Sequence, residues 1–355
     1  MKKKLVALLL ISALLLLSFA ACGGGSAPAE EPAPDIDPDL PAIEDLEPLM
    51  PTVDPIFDPV DITVGTLNGN TGIAAAWLMH EAEYGFTADN YTFEIATAPD
   101  QVAGMLLSDQ VQIAALPTNV AAMLYNRSEG MIQLAAITAY GVLHILENGD
   151  TIHSIEDLRG QTIHATGEGA NPEFILNHLL TQNGLTPGVD VTIEFHANEA
   201  LTALMAAGQI EISMMPEPMV TSVLAQNEDV RRALDLTEEW NLISPDSPLV
   251  MSCVVVRRDF AEAHPDAVQR FLELLELSIK FANAGPEEIG EFVAHFGIMP
   301  SAQIAARAIP GSNLTFIVGS DMEPTIVGYF EVLFSAYPAA IGGAIPGENF
   351  YFIAE

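Results

Sequence analysis

The sequence predicts an α/β protein of two lobes, each a mainly parallel sheet flanked by helices, with extra C-terminal helices on the first lobe. Three observations carry this expectation. A strand, a turn of small polar residues and a helix recur in order from Asp61 to about Tyr125, and the same unit restarts after Asn148-Gly149-Asp150. One strongly apolar strand, Leu249 to Arg257, arrives after the second set has ended. The remainder is largely helical. Alternating strands and helices indicate sheets covered on both faces, and a late strand with surplus helices indicates a chain returning to the lobe it left. The expected boundaries are residues 61–147 plus 249–355 for a discontinuous first lobe and 148–248 for the second.

In the first set, Asp61 to Leu67 alternates as a strand, Asn68 to Gly72 turns, and Ile73 to Tyr84 has helical character. Tyr91 to Thr97 is the second strand, with a helix from Asp100 to Leu107 behind Ala98-Pro99. Val111 to Leu116 is the third, and Pro117-Thr118-Asn119 opens a helix to about Tyr125. Leu134 to Leu146 is mostly extended. The second set begins with a short helix at Ser154 to Leu158, where a serine cap and an acid three residues on form a capping box. Strands follow at Gln161 to Thr166, Val191 to Phe195 and Ile210 to Met214. Helices follow at Glu173 to Asn183, at Glu199 to Ala207 and, behind Pro216-Glu217-Pro218, to about Gln226. The set ends near Trp240, and Pro245 and Pro248 flank the return. The C-terminal helices are expected at Pro265 to Ala282, Pro286 to Phe296, Ser301 to Ala308 and Met322 to Tyr337.

Three lysines, an apolar run from Leu5 to Leu17 and small residues before Cys22 make the three-part signal of an exported chain. The run is too short for a stop-transfer helix. Cys22 stands where a bacterial lipoprotein signal places its lipidated cysteine, although Phe19 replaces the usual Leu. Residues 1–21 are therefore expected to be a signal peptide. Residues 22–60 interleave nine prolines with Asp and Glu, which excludes a helix or central strand and gives an extended tether. The folded part is expected on the outer face of the bacterial cell membrane, anchored by acyl chains on Cys22.

The full chain has 12 Lys and Arg against 48 Asp and Glu, for a net charge of −36. No cation occurs between Lys4 and Arg127. That balance excludes nucleic acid, whose phosphates need a basic surface, and reads as a solvated anionic exterior. Once Cys22 is acylated, Cys253 has no disulfide partner, and its apolar surroundings make it a core residue.

Five strand-to-helix turns share one design: Asn68 to Gly72, Pro99-Asp100, Pro117 to Asn119, Gly167 to Asn171, and Pro216 to Pro218. In parallel sheets such turns gather at the C-terminal edge of the strands, with the amide groups of helix starts facing a crevice. Asn68, Asn70, Thr71, Thr118, Asn119 and Asn171 are the candidate ligand contacts, and helix capping is the competing use for each. Gly169 adds backbone donors, while Asp100 and Glu217 add acids. The Gly167 to Asn171 loop lacks the Gly-Lys-Ser/Thr ending of a phosphate loop, and Glu168 would repel phosphate. Eight scattered histidines contain no His-x-x-x-His, so a metal assembled from distant residues, such as His144 or His164 with Glu217, is the weaker reading. No metal and no cofactor are expected. There is no Gly-x-Ser-x-Gly elbow and no activated cysteine, so nothing compels an enzyme.

The segments SIEDLRGQTIHATGEGANPEFILNHLLTQNGL (from Ser154), ALMAAGQIEISMMPEPMVTSVL (from Ala203) and VVVRRDFAEAHPDAVQRFLE (from Val254) resemble substrate-binding lipoproteins of ABC importers. The nearest group handles nitrate, sulfonates, taurine and thiamine precursors, and the resemblance covers residues 61 to about 340. It implies a two-lobed periplasmic-binding-protein type II fold, a monomer that closes on a small molecule by hinge motion and docks on a membrane permease. None of the five turns contains Lys or Arg. The expected ligand is therefore polar and neutral or weakly basic, heteroaromatic compounds included, with Tyr140 or Trp77 available for stacking. Two alternatives stand beside this. One is an enzyme of pyrimidine synthesis or a menaquinone pathway on the same bilobed fold, which the export leader opposes; the other is a membrane-tethered sensor domain.

Overall fold

Two mixed sheets organise the computed structural model, which describes residues 58–353. The expected signal peptide, Cys22 and nearly all of the tether lie outside the described residues. The chain first lays down β1 (Asp61–Leu67), α1 (Asn70–Glu83), β2 (Asn90–Ala96), α2 (Pro99–Leu107), β3 (Ile113–Pro117), α3 (Thr118–Arg127) and β4 (Ile132–Tyr140). It then builds β5 (Leu143–Asn148), β6 (Thr162–Ala165), α4 (Asn171–Gln182), β7 (Thr192–Phe195), α5 (Asn198–Ala206), β8 (Ile212–Pro216), α6 (Met219–Leu224), β9 (Val230–Asp235) and α7 (Leu236–Ile243). It returns through β10 (Val250–Arg257) and α8 (Arg258–Ala263). It closes with α9 (Pro265–Ala284), α10 (Pro286–His295), α11 (Ala302–Ala308), β11 (Leu314–Ile317) and α12 (Met322–Ala336).

The first sheet has the order β11-β4-β10-β3-β1-β2 and the second β7-β6-β8-β5-β9. The two-sheet α/β architecture matches the sequence expectation, but strand direction refines it. β10 runs antiparallel to β3 and β4, and β5 antiparallel to β8 and β9. Both are strands that enter from the other half of the chain, and they enter at the opposite end from the local βαβ strands. Each sheet is therefore mixed rather than mainly parallel.

The first crossover also moves from its expected place at residue 147/148. β5 pairs within the second sheet, so the switch falls at Gly141-Val142, between Tyr140 and Leu143. The sequence hides it because β4 and β5 form one nearly continuous apolar run, buried along most of its length. Central strands such as β10 are mostly apolar and buried at all but one position, whereas the edge strands β2 and β7 mostly alternate between exposed and partly buried positions. That contrast is what covering both faces of each sheet requires.

Helix α9 begins at Pro265 and buries Val268, Phe271, Leu272, Leu275 and Ile279 at helical spacing. It packs on α1, where the Ser278 hydroxyl donates to the Ala74 carbonyl at 2.6 Å. Close packing extends to Gly72 at the start of α1, where an added Cβ would meet the Leu67 carbonyl oxygen at 2.7 Å. A continuous apolar cluster joins residues of both sheets, among them Leu116 and Cys253 from the first and Leu143 and Met214 from the second. Trp240 of α7 and Tyr329 of α12, with ring centroids 5.8 Å apart, belong to it. No described helix is long and apolar enough to cross a membrane.

Glu147 fixes the far end of β5. Its Oε1 accepts from the Thr151 amide and hydroxyl at 2.8 and 2.6 Å, and its Oε2 from Ile152 N at 3.2 Å and Arg231 Nη2 at 2.6 Å. Burial alone would raise the carboxyl pKa, but these donors together hold it below the usual range. A depressed folded-state pKa contributes stability above the ordinary glutamate range, and that contribution is lost as the pH falls through the folded value. Glu147→Gln should therefore cost about 2 kcal/mol at neutral pH and flatten the acid limb of stability against pH. Urea titrations from neutral to acid pH test this. An unchanged acid limb would show that Glu147 does not contribute to it.

Candidate ligand-binding cleft

The C-terminal ends of β1, β3 and β4 lie at one edge of the first sheet, since β3 and β4 both run opposite to β10. The ends of β6 and β8 and the start of β5 share the corresponding edge of the second sheet. These two edges face each other across Gly141-Val142. A Cβ placed on Gly69 would come within 3.6 Å of Pro218, and one on Gly311 within 3.1 Å of Glu217 Oε1. Gly69 itself has φ +90°, a left-handed value that favours glycine at this approach.

Helices α1, α3 and α4 begin on these edges, and none has a side-chain cap. Asn70 and Asn171 are the first residues of α1 and α4, and Asn119 is the second of α3. Capping, the competing use for these asparagines, is thus not what their side chains do. Asn70 Nδ2 donates to the Ser312 carbonyl at 2.8 Å, leaving its Oδ1 without a partner. Asn119 is buried, and its Oδ1 has no partner either. Asn171 Oδ1 accepts from the Tyr329 hydroxyl at 2.6 Å, which leaves Nδ2 free in a residue only 2% exposed. Thr138 Oγ1 on β4, Thr237 Oγ1 at the start of α7 and both ring nitrogens of His144 are buried without hydrogen bonds. Burial pushes the His144 imidazole below its ordinary pKa, against the opposing pull of Asp235 at 3.8 Å.

The other candidates divide. Thr71 and Thr118 are buried at this edge but bond to backbone, Thr71 Oγ1 to the Leu67 carbonyl at 3.2 Å and Thr118 Oγ1 to the Val250 carbonyl at 2.7 Å. Asn68 is exposed just beyond β1. Tyr140 ends β4, half-buried, with its amide donating to the Asn313 carbonyl at 3.1 Å. Gly169 has φ +69° and donates its amide to Glu173 Oε2 at 2.6 Å, which folds the loop onto α4. Asp100 is exposed in the first turn of α2, the helix that follows the edge strand β2. Trp77 packs against Phe281 of α9 with centroids 4.9 Å apart, which uses that ring for helix packing.

Glu217 is buried, but not as a free acid. Its Oε1 pairs with Arg232 of β9 and accepts from the Thr221 hydroxyl at 3.0 Å, while Oε2 accepts from Thr221 N at 3.1 Å. Burial raises this carboxyl pKa, with Thr221 and Arg232 pulling the other way. Sequence reasoning missed the unpartnered Thr138 and Thr237, and it also missed Arg232, Tyr329 and Ser312, which bond to Glu217, Asn171 and Asn70. The last three reach their partners through topology rather than through a motif.

The family model described as NMT1/THI5 like matches residues 86–289, more than half of the chain. The chain belongs to the NMT1/THI5-like family. Among curated relatives of this family member, a protein of Brucella abortus (strain 2308), described as a binding protein, is 23% identical over 192 residues, 54% of this chain and 58% of its own. One of Brucella suis biovar 1 (strain 1330) aligns to the same extent. The chain thus spans under two thirds of these relatives' length. A crystal structure of an ABC transporter protein from Parabacteroides distasonis superposes with a TM-score of 0.69 at 21% identity, covering 84% of this chain and all of the other. The periplasmic aliphatic sulphonate binding protein of Escherichia coli gives 0.64 at 16% identity, over 82% and 96% of the two chains. A zinc-bound ligand-binding component of an ABC-type import system from Staphylococcus aureus gives 0.60 at 14%, over 83% and 97%. These likenesses establish the periplasmic-binding-protein fold for this member of the NMT1/THI5-like family.

Proposed function

We propose that this protein is the extracytoplasmic solute-binding component of an ABC importer, holding a small polar ligand between its two sheets for delivery to a membrane permease. One observation carries the reading. Buried, unpartnered polar atoms of Asn70, Asn119 and Thr138 on one edge confront those of His144, Asn171 and Thr237 on the other. A buried polar group without a partner costs about 1–3 kcal/mol, so a ligand that satisfies several of them at once gains affinity and draws the edges together.

The ligand we infer is neutral or weakly basic. The five turns lack Lys and Arg, and Arg232 already compensates Glu217. In this reading Cys22 carries the lipid anchor, the protein acts as a monomer outside the cytoplasm, and it binds without catalysis. Protein purified without denaturation should release its ligand to mass spectrometry. In calorimetry, a pyrimidine or another neutral heterocycle should bind, and Asn119→Ala should weaken it about tenfold with little change in melting temperature, whereas Asn171→Ala should weaken it and also lower the melting temperature, because it strands the buried Tyr329 hydroxyl. Tight binding of an aliphatic sulfonate without response to neutral heterocycles would replace this ligand class by an anion held at the starts of α1, α3 and α4. Turnover of the bound compound would instead favour an enzyme.

A further inference from the structure

A second constellation lies at the edge of the second sheet, in the pair β6 and β7. The strands run parallel with His164 directly opposite Glu194, and His196 follows two residues after Glu194. Side chains alternate along a strand and paired residues share a face, so these three leave the same side of the sheet. His164 Nδ1 is 2.9 Å from His196 Nε2 and 3.5 Å from Glu194 Oε2. One ligand atom from each of the three residues lies within 4.8 Å of the others.

Zinc binds imidazole nitrogen at about 2.0–2.1 Å and carboxylate oxygen at about 2.0–2.2 Å in tetrahedral sites, which sets neighbouring ligand atoms about 3.3 Å apart. The two measured separations bracket that spacing. We propose that His164, Glu194 and His196 bind a divalent transition metal of the zinc class. Two imidazoles and one carboxylate form a donor set suited to such ions rather than to magnesium or calcium. Glu194 is exposed and the histidines are half-buried, so the remaining position opens to solvent. Ser213, paired with His164 across β8, shares this face and has a fully buried hydroxyl with no partner in the chain. The bound ion would clamp the edge strand β7 onto β6. The proposal does not rest on the cleft ligand, and its test leaves that reading untouched.

The test is a zinc titration of the chelator-treated protein by calorimetry at neutral pH and moderate salt, repeated with Co²⁺ by visible absorption. The expected result is one strong equivalent per chain, a rise in melting temperature, and the intense bands of tetrahedral Co²⁺. His164→Ala and His196→Ala should each weaken the strong equivalent by at least about tenfold. Exposed Glu194→Gln, which leaves both imidazoles in place, should weaken it by a smaller factor and serves if a histidine variant fails to fold. Binding should also weaken at acid pH, since metal ligands must be deprotonated. Only weak, multiple binding that all three variants retain would assign the zinc to surface carboxylates and overturn the proposal. A strong equivalent that survives all three substitutions would overturn it too.

Discussion

Replacing Asp89 with Ala should lower the unfolding free energy by about 3–5 kcal/mol. The Asp89 side chain has no exposed surface, and both of its oxygens are used. Oδ2 accepts from Arg270 Nε at 2.8 Å, and Oδ1 from Arg270 Nη2 at 2.9 Å and from the Val60 amide at 3.0 Å. This forked pair ties the segment before β2 to α9 and holds the start of β1 beside it. The geometry is bidentate and charge-assisted, the form in which an Arg–carboxylate pair is strong. With Ala at position 89, the guanidinium loses its two bonds to Asp89 in a site that only partly opens to water, and the Val60 amide loses its acceptor. Asp89→Asn keeps an acceptor for Val60 and should recover part of the loss. Urea denaturation followed by circular dichroism measures both variants. A cost below about 1 kcal/mol for the alanine variant would put the pair with ordinary surface ion pairs and contradict the argument.

Trp240→Ala should cost a similar amount, about 3–5 kcal/mol, for a different reason. The indole is fully buried, its Nε1 donates to the Ser247 carbonyl at 2.6 Å, and its ring lies 5.1 Å from His178 and 5.8 Å from Tyr329. Truncation leaves a cavity where α4, α7 and α12 meet and removes the only described side-chain bond to Ser247 in the return segment. Trp240→Phe keeps most of the volume and loses the N–H, so it should cost about 1–2 kcal/mol. The truncation should also weaken cleft binding, because Tyr329 packs on Trp240 and holds Asn171 through its hydroxyl. Denaturation by circular dichroism and calorimetry of the co-purified ligand read the two effects. Full stability in the alanine variant would show that the helices collapse into the space without cost.

Most of the fold was legible because strands and helices announce themselves by period. β1 and β10 differ visibly from α9, and the capping box of Ser154 and Asp157 is present as expected. β9 was not legible, since Arg231 and Arg232 interrupt a short strand of modest hydrophobicity. Their charges are accommodated by Glu147 and Glu217, residues 84 and 15 positions away, and no local pattern carries that information. β11 was hidden likewise: four residues behind Asn313, whose φ of 45° no motif advertised. In the cleft, Asn70, Asn119 and Asn171 were readable because each stands at a strand-to-helix turn. Tyr329 was not, because it meets Asn171 from 158 residues away. Glu217 was readable as an acid at a strand-to-helix turn but neither as buried nor as half of an ion pair. The histidines at 164 and 196 show the same limit, since 32 intervening residues conceal a spacing that one strand pairing creates.

The two connections between the sheets are unequal, and the inequality fixes how one half can turn against the other. Gly141-Val142 is the whole of the first, while the second runs from Ser244 to Leu249. At Gly141 an added Cβ would lie 2.2 Å from Thr237 Oγ1, so the backbone there is pressed against the second half with no side chain between. Any rotation of one sheet against the other would have to pivot close to Gly141, because a connection of two residues cannot lengthen. In such a rotation the longer connection would sweep the arc, and small torsional changes at one glycine would be magnified into displacement at the far rim of the opening.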